Sequence, residues 1–187
     1  MTMTRVRILC EDERSERFLR GLCDRQGIRV LEVINAPRGK GAASSWVSAR
    51  YPEAMKQRRS RNFQQGLGLL VHVDGDNLGP QSRRRQLDDA LRAVQVSVRT
   101  ANEPVAIFVP TWCIETWLLH LSGIATPPET AKLKRDPDPT WRPALHQLEK
   151  QEALAIRQAV AAWSTADATQ LPSLADARTE GLRLGWS

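Results

Sequence analysis

The chain reads Leu67-Gly68-Leu69-Leu70-Val71-His72-Val73-Asp74-Gly75-Asp76, a nearly continuous apolar run that ends in two carboxylates one residue apart. Parallel sheets bury their strands on both faces, so such a run is typical of a central parallel strand. Ligands of open α/β sheets bind at the carboxyl ends of the strands, which is where Asp74 and Asp76 fall. The stretch therefore predicts a parallel sheet. It also predicts that the functional residues lie at the carboxyl ends of the strands.

Three further apolar runs have the length and branched composition of strands, at residues 6–10, 28–34 and 105–109. Strands that alternate with helices favour βαβ units. We predict an α/β fold with a mainly parallel, Rossmann-like sheet of about four strands flanked by helices. Helical spacing of apolar residues predicts helices at residues 18–23, at 46–55 with Ser44 or Ser45 as the N-cap, at 87–94 and at 114–121.

The chain changes character after residue 125. Pro and Gly disfavour regular structure, and five prolines predict a loop that separates the core from Ala-rich helical stretches. We divide the chain into a core, residues 1–125, and a proline-rich loop with a C-terminal helical extension, residues 126–187. The extension is expected to pack on the core or to bind a partner. The prolines are Pro127, Pro128, Pro137, Pro139 and Pro143.

Composition narrows the class of protein. The chain has 187 residues, of which 41% are hydrophobic and 26% are charged, as in soluble globular proteins. No apolar run approaches the roughly 20 residues that span a membrane, and the apolar start is too short for a signal peptide. We expect a cytoplasmic protein without a membrane partner. Cys10, Cys23 and Cys113 form no CxxC pair, so reduced, buried thiols are expected rather than zinc or redox chemistry.

Carboxylates follow two of the predicted strands. Glu11 comes directly after the first strand, and Asp74 and Asp76 follow the third. Hard divalent cations such as Mg²⁺ prefer oxygen ligands, and two aspartates separated by one glycine can both turn to one ion. Such an ion activates water and neutralises charge on a phosphodiester. The three carboxylates therefore predict a site for Mg²⁺ or Mn²⁺, with solvated or helix-capping carboxylates as the alternative.

These residues also resemble a known family. Glu11 after its strand, Phe18-Leu19 on the next helix, and residues 70–79 with their complete Asp-x-Asp-x-x-Gly spacing resemble toprim motifs. Residues 110–119, Pro-Thr-Trp-Cys-Ile-Glu-Thr-Trp-Leu-Leu, resemble small stand-alone toprim-like proteins of bacterial defence systems. The resemblance covers residues 5–120 and leaves the extension out.

The resemblance implies an activity. Toprim domains occur in topoisomerases, primases and nucleases of the overcoming-lysogenization-defect class, where the glutamate and two aspartates hold Mg²⁺. It thus implies a divalent-metal-dependent nuclease of DNA or RNA, the effector subunit beside an ATPase in antiviral defence. The catalytic residues would be Glu11, Asp74 and Asp76, with Lys40 at the scissile phosphate unless it is a solvated surface lysine. Tyr51 as the sole tyrosine argues against a topoisomerase, and the lack of a zinc ribbon argues against a primase.

The roles of two acidic residues, Asp12 and Glu115, remain open. A typical toprim has Gly after the first Glu, whereas this chain has Asp12, which is either an additional metal ligand or a helix N-cap. Glu115 is either a ligand or a first-turn glutamate favoured by the helix dipole. The departure at Asp12 leaves an alternative function, a non-catalytic toprim-like binding or regulatory subunit that docks on an ATPase or nucleic acid. A phosphatase or nucleotide hydrolase is a third option.

Basic residues predict a polyanionic partner. The net charge is +6 and the pI is about 9.8, although a global excess of this size is a weak signal. A P-loop is excluded because Gly41 follows Lys40. Basic clusters near the acidic residues predict phosphate contacts, with solvated helix faces as the alternative and with an oligomer left open. The candidate nucleic-acid-binding residues are Arg38, Lys40, Lys56, Arg58, Arg59, Arg61, Arg83, Arg84 and Arg85.

Overall fold

The computed structural model describes residues 3–37, 43–61, 66–76, 78–134 and 137–186. Its centre is a four-stranded sheet in which every neighbouring pair is parallel, in the order β2-β1-β3-β4. The α/β class is confirmed, with helices flanking a parallel sheet and a helical C-terminal region. The strands are β1 (Arg5–Cys10), β2 (Arg29–Asn35), β3 (Leu67–His72) and β4 (Val105–Phe108).

The helices follow the strands in the order expected of βαβ units. Four belong to the core, and three lie in the extension together with two short 3₁₀ turns, Pro139–Trp141 and Leu182–Leu184. Within the described residues the helices are α1 (Glu13–Arg25), α2 (Ala43–Ser60), α3 (Gly79–Ala93), α4 (Ile114–Leu121), α5 (Arg142–Lys150), α6 (Glu152–Ala162) and α7 (Pro172–Gly181).

The sheet divides the core into two apolar layers. All six residues of β3 are buried, as a strand between two helical layers requires. Successive side chains of a strand point to opposite faces, and Leu70 accordingly packs with α1 and α4 while Leu69 and Val71 pack with α2 and α3. His72 is fully buried on the α4 side, with 6.4 Å between its ring centroid and that of Trp117.

The C-terminal extension packs on the core. Trp163 stacks on Phe108 of β4 with 5.5 Å between ring centroids, and Trp186 meets the same ring edge-on. Both tryptophans are buried in the apolar layer that also contains α1 and α4. Of the two expectations for the extension, packing on the core is what the structure shows. This packing brings the proline-rich loop close to the sheet.

Several element boundaries differ from the prediction, among them those of α2 and β4. The helix α2 begins at Ala43 and continues to Ser60 despite Pro52 in its interior. Ser44 is therefore not an N-cap but lies in the first turn, where its hydroxyl donates to Asp76 Oδ2 at 3.4 Å. β4 ends at Phe108, one residue earlier than the apolar pattern suggested.

Two further expectations concern the chain as a whole. Cys10, Cys23 and Cys113 are free and buried, as predicted. Within the described ranges, no helix combines the length and apolarity that a membrane span needs.

Candidate functional site

Glu11 and Asp74 meet at the carboxyl edge of the sheet. Each follows one of the two central strands, β1 and β3, which pair in parallel. The backbone N–H of Asp74 donates to Glu11 Oε1 at 2.7 Å. Both residues are buried, with 8% of Glu11 and 2% of Asp74 exposed. The structure thus brings together two of the three carboxylates that the sequence predicted as a site.

Asp74 is held from both sides. Its Oδ1 accepts the backbone N–H of Ile114, the first residue of α4, at 3.1 Å. Its Oδ2 accepts from the Lys134 ammonium at 2.5 Å. The ring of His72 lies beneath it, with Nε2 3.8 Å from Oδ1. The carboxylate is therefore fixed in orientation by backbone and side-chain donors.

Gly75 permits a close approach of two chain segments. Its N–H donates to Pro110 O at 2.9 Å, and the next N–H, of Asp76, donates to Trp112 O at 2.9 Å. A Cβ on Gly75 would lie 2.3 Å from Thr111 O, which is backbone and cannot rotate away. The glycine between the aspartates is therefore required by the segment that follows β4.

Asp76 lies at the mouth of the site rather than in its interior. Its backbone has φ 49°, a left-handed conformation that is uncommon for a residue other than glycine and is often found at functional sites. Its side chain is 41% exposed. Oδ2 accepts from Arg83 Nη2 at 2.8 Å, and Arg83 Nε also donates to the Asp74 carbonyl. Arg83 thereby holds the whole Asp-Gly-Asp turn.

Asp12 and Glu115, whose roles the sequence leaves undecided, have different surroundings. Asp12 is the N-cap of α1, where its Oδ1 accepts the Ser15 N–H at 2.8 Å. Glu115 lies in the first turn of α4, but it is buried and its Oε1 accepts from Arg14 Nη1 at 2.5 Å. Glu115 Oε2 faces Lys134 Nζ at 3.6 Å. Glu115 therefore belongs to the acidic cluster, and Asp12 has a structural role beside it.

Lys134 is a residue of the site that the sequence did not point to. It lies in the proline-rich loop, 60 residues after Asp74, in a segment outside the toprim resemblance. A weak signal was present: Ala131 and Leu133 are buried and alternate with Lys132 and Lys134, which indicates a loop anchored on the core. Nothing in that alternation indicates an acidic partner.

Burial dominates the protonation of the cluster. Burial, and after it the Asp74 charge, raise the pKa of Glu11 to about 8. Burial likewise raises the pKa of Asp74 to about 7, although the Lys134 ammonium opposes the shift. Burial lowers the pKa of His72 to about 4, so this histidine is neutral. Burial thus disfavours the ionised form of both carboxyls, and positive charge placed beside them would stabilise that form.

The fit of a metal ion is best for the Glu11–Asp74 pair. Both supply hard oxygen donors, and Glu115 Oε2 is buried without a hydrogen-bond partner in the described structure. Over the same residues, no three His, Cys, Asp or Glu side chains stand ready as a metal site. Basic side chains already contact one oxygen of each aspartate: Lys134 binds Asp74 Oδ2, and Arg83 binds Asp76 Oδ2.

Clefts give access to the cluster. A cleft of about 550 Å³ opens beside Glu11 and Asp12, and Arg14, Arg17 and Glu152 also line it. Arg14 and Arg17 were not singled out from the sequence. Both pair with Glu152, at 2.8 Å and 2.6 Å. Their guanidinium groups lie at the entrance to the acidic pair, where Glu152 neutralises part of their charge.

Those of the predicted basic residues that the structure describes do not form one surface. Arg59 binds Glu103, which precedes β4, so the end of α2 lies at the opposite edge of the sheet from Asp74. Arg58 is buried there, and Lys56 and Arg61 are exposed.

The arginines of α3 also differ in their surroundings. Arg84 binds Asp176 of α7, and Arg85 is exposed. Of the basic candidates whose side chains the structure describes, Arg83 is the one in contact with the acidic residues. Arg38 and Lys40 lie outside the described residues.

The site therefore consists of Glu11, Asp74 and Glu115 around Lys134, with Asp76 and Arg83 at its mouth. The toprim resemblance stays a prediction beside this geometry. Compared with known proteins, the chain matches no family model, no curated protein and no solved structure.

Proposed function

We propose that this protein is a divalent-metal-dependent nuclease that hydrolyses phosphodiester bonds of DNA or RNA at the Glu11–Asp74 pair. The observation that carries the proposal is the hydrogen bond from the Asp74 backbone N–H to Glu11 Oε1, which joins two buried acidic residues at the ends of adjacent parallel strands. Burying carboxylates together costs free energy, and such costs are retained mainly where function needs them. The toprim resemblance adds the expectation of an ATPase partner in a defence system.

The roles of the residues follow from their contacts. Glu11 and Asp74 would hold Mg²⁺ or Mn²⁺, and the bound ion would supply positive charge to a phosphodiester. The N–H groups of Asp74 and Ile114 orient the two carboxylates. Arg14 and Arg17 line the adjoining cleft, where guanidinium groups suit phosphate oxygens. The cleft volume of about 550 Å³ is within the range of sites that bind small ligands.

A second function is favoured by one specific observation. Lys134 neutralises part of the charge of Asp74 and Glu115, and a cluster that a lysine partly neutralises has less need of a metal ion. The second candidate is therefore a non-catalytic binding or regulatory subunit that docks on an ATPase or nucleic acid. Asp12 as a helix cap, in place of the usual glycine, is compatible with it.

Cleavage assays separate the two functions. Supercoiled plasmid, single-stranded DNA and tRNA are incubated with the protein in Mg²⁺, in Mn²⁺ and in chelator. The Asp74→Asn variant keeps the shape of the side chain but removes its charge, and Asp89→Asn, an exposed residue of α3, is the matched control.

We expect cleavage by the wild type and by Asp89→Asn in metal alone, and none by Asp74→Asn. Cleavage in chelator, or equal cleavage by Asp74→Asn, would contradict the nuclease. An inert protein that binds no Mn²⁺ and co-purifies with an ATPase would favour the second candidate.

A further inference from the structure

Lys134 occupies the position between two buried carboxylates. Its ammonium lies 2.5 Å from Asp74 Oδ2 and 3.6 Å from Glu115 Oε2. The lysine side chain is 34% exposed, whereas the two acidic side chains are 2% and 7% exposed. The cation thus reaches the carboxylates from the solvent side, carried by the proline-rich loop.

Some of the buried hydrogen-bonding atoms around the Lys134 ammonium have no partner among the described residues. Glu115 Oε1 is held by Arg14, but Glu115 Oε2 is buried and has no hydrogen-bond partner among the described residues. Both ring nitrogens of His72 are also buried without a hydrogen-bond partner among those residues, and Nε2 lies 3.8 Å from Asp74 Oδ1. A single ammonium has only three donors, and here it makes one short contact. The cluster therefore contains buried acceptor atoms to which the lysine makes no hydrogen bond.

Space for the lysine to move is also present. Lys134 and Glu115 border a cleft of about 340 Å³ that Arg14, Pro137 and His146 also line. Rotation of the flexible Lys134 side chain into this cleft would separate its ammonium from Asp74. Two cations sharing one buried carboxylate oxygen would repel each other strongly, because screening is weak in the interior.

We propose that Lys134 is a built-in competitor of the divalent ion, so that its ammonium and the metal bind Asp74 in turn. This inference rests on the proposed function, since it assumes that Asp74 binds a metal. In the metal-free state the lysine neutralises Asp74 and holds the proline-rich loop on the core. Metal binding releases the lysine into the cleft, and metal occupancy is thereby coupled to the position of the loop.

Calorimetric titration with Mn²⁺ tests the competition. The variants are Lys134→Gln, Lys134→Arg, which keeps the charge, and Lys132→Gln, an exposed lysine of the same loop. If the lysine-bound state predominates, removing its ammonium raises the apparent affinity by the reciprocal of the competent fraction, at least about tenfold. We expect Lys134→Gln to bind Mn²⁺ more tightly by that factor, and the other two variants to bind like the wild type.

A second measurement uses the wild type and does not depend on how the variants fold. Reductive methylation of lysines, followed by mass spectrometry, is run with and without saturating Mn²⁺. We expect methylation of Lys134 to rise severalfold in Mn²⁺ while that of Lys132, the internal control, is unchanged. A Lys134 rate that stays constant or falls would overturn the proposal.

The outcomes distinguish this inference from the proposed function. Equal Mn²⁺ affinity of the wild type and Lys134→Gln overturns the competition and leaves the metal-dependent nuclease standing. Absence of Mn²⁺ binding in both proteins overturns the competition and the metal dependence together.

Discussion

The backbone N–H of Asp74 donates a 2.7 Å hydrogen bond to Glu11 Oε1, and this bond joins the ends of β1 and β3 across 63 residues of sequence. It fixes the Glu11 side chain inside the protein, where the carboxylate has little solvent. Because the donor belongs to the backbone, the contact depends on strand register rather than on the Asp74 side chain. The acidic pair is therefore a consequence of the parallel pairing of the two central strands.

The first prediction concerns pH. The pKa of Glu11 is raised by burial from 4.5 to about 8, so the folded protein binds a proton that the unfolded chain releases. This contribution to stability is fully present below about pH 4.5 and is lost as pH rises through about 8. Glu11→Gln keeps the Oε1 acceptor but cannot ionise. We expect it to reduce the fall in the free energy of unfolding with rising pH by up to about 1.4 kcal/mol per pH unit. Urea unfolding in chelator measures the free energy of unfolding of both proteins as a function of pH. Parallel pH profiles of the wild type and Glu11→Gln would contradict the prediction.

The second prediction concerns Gly75. The added Cβ of Gly75→Ala would lie 2.3 Å from Thr111 O and 2.6 Å from Pro110 O, so the turn must shift. We expect a loss of about 3 kcal/mol in the free energy of unfolding. Gly79→Ala is the matched control, because its φ of +73° is strained for alanine but its surroundings are open. That control should lose about 1 kcal/mol. Equal losses in the two variants would show that the close approach is unimportant.

The third prediction concerns Asp12. Asp12→Ala removes the acceptor for the Ser15 N–H and should cost about 1 kcal/mol of stability. Asp12→Ser retains a capping oxygen and should unfold like the wild type. We also expect Asp12→Ser to bind Mn²⁺ with wild-type affinity. A variant of normal stability but with Mn²⁺ affinity weakened severalfold would instead identify Asp12 as a metal ligand.

The fourth prediction separates structural arginines from phosphate-binding ones. Arg59 donates to both oxygens of Glu103 and to the carbonyls of Ser97 and Val98. Arg59→Gln should therefore lower stability by about 1–3 kcal/mol and leave nucleic-acid affinity unchanged. Chemical denaturation and fluorescence anisotropy with a labelled oligonucleotide measure the two effects. Weakened binding without loss of stability would place Arg59 on the nucleic-acid surface.

The fold was predictable because the decisive strand is unambiguous. Residues 67–73 are apolar on both faces, and such a strand needs a helical layer on each side. The convergence of Glu11 and Asp74 was predictable for the same reason, since the carboxyl ends of parallel strands meet at one edge of a sheet. Both inferences use local patterns and a general rule of topology.

The remaining contacts depend on partners that are distant in sequence. The run that contains Arg58 and Arg59 has the composition of a phosphate-binding face, but Glu103 lies 44 residues beyond Arg59 and binds it at the opposite edge. Lys134 reaches Asp74 because the extension packs on the core, and no periodic pattern encodes that contact. Charge composition therefore predicts a class of partner but not the location of individual contacts.

The central claim is that Asp74 and Glu11 bind a divalent cation. Calorimetric titration with Mn²⁺ of the wild type, Asp74→Asn and Asp89→Asn tests it most directly. We expect the wild type and Asp89→Asn to bind equally, and Asp74→Asn to bind at least about tenfold more weakly because it lacks the ionised oxygen. The absence of Mn²⁺ binding by the wild type, or equal affinity of Asp74→Asn, would contradict the account.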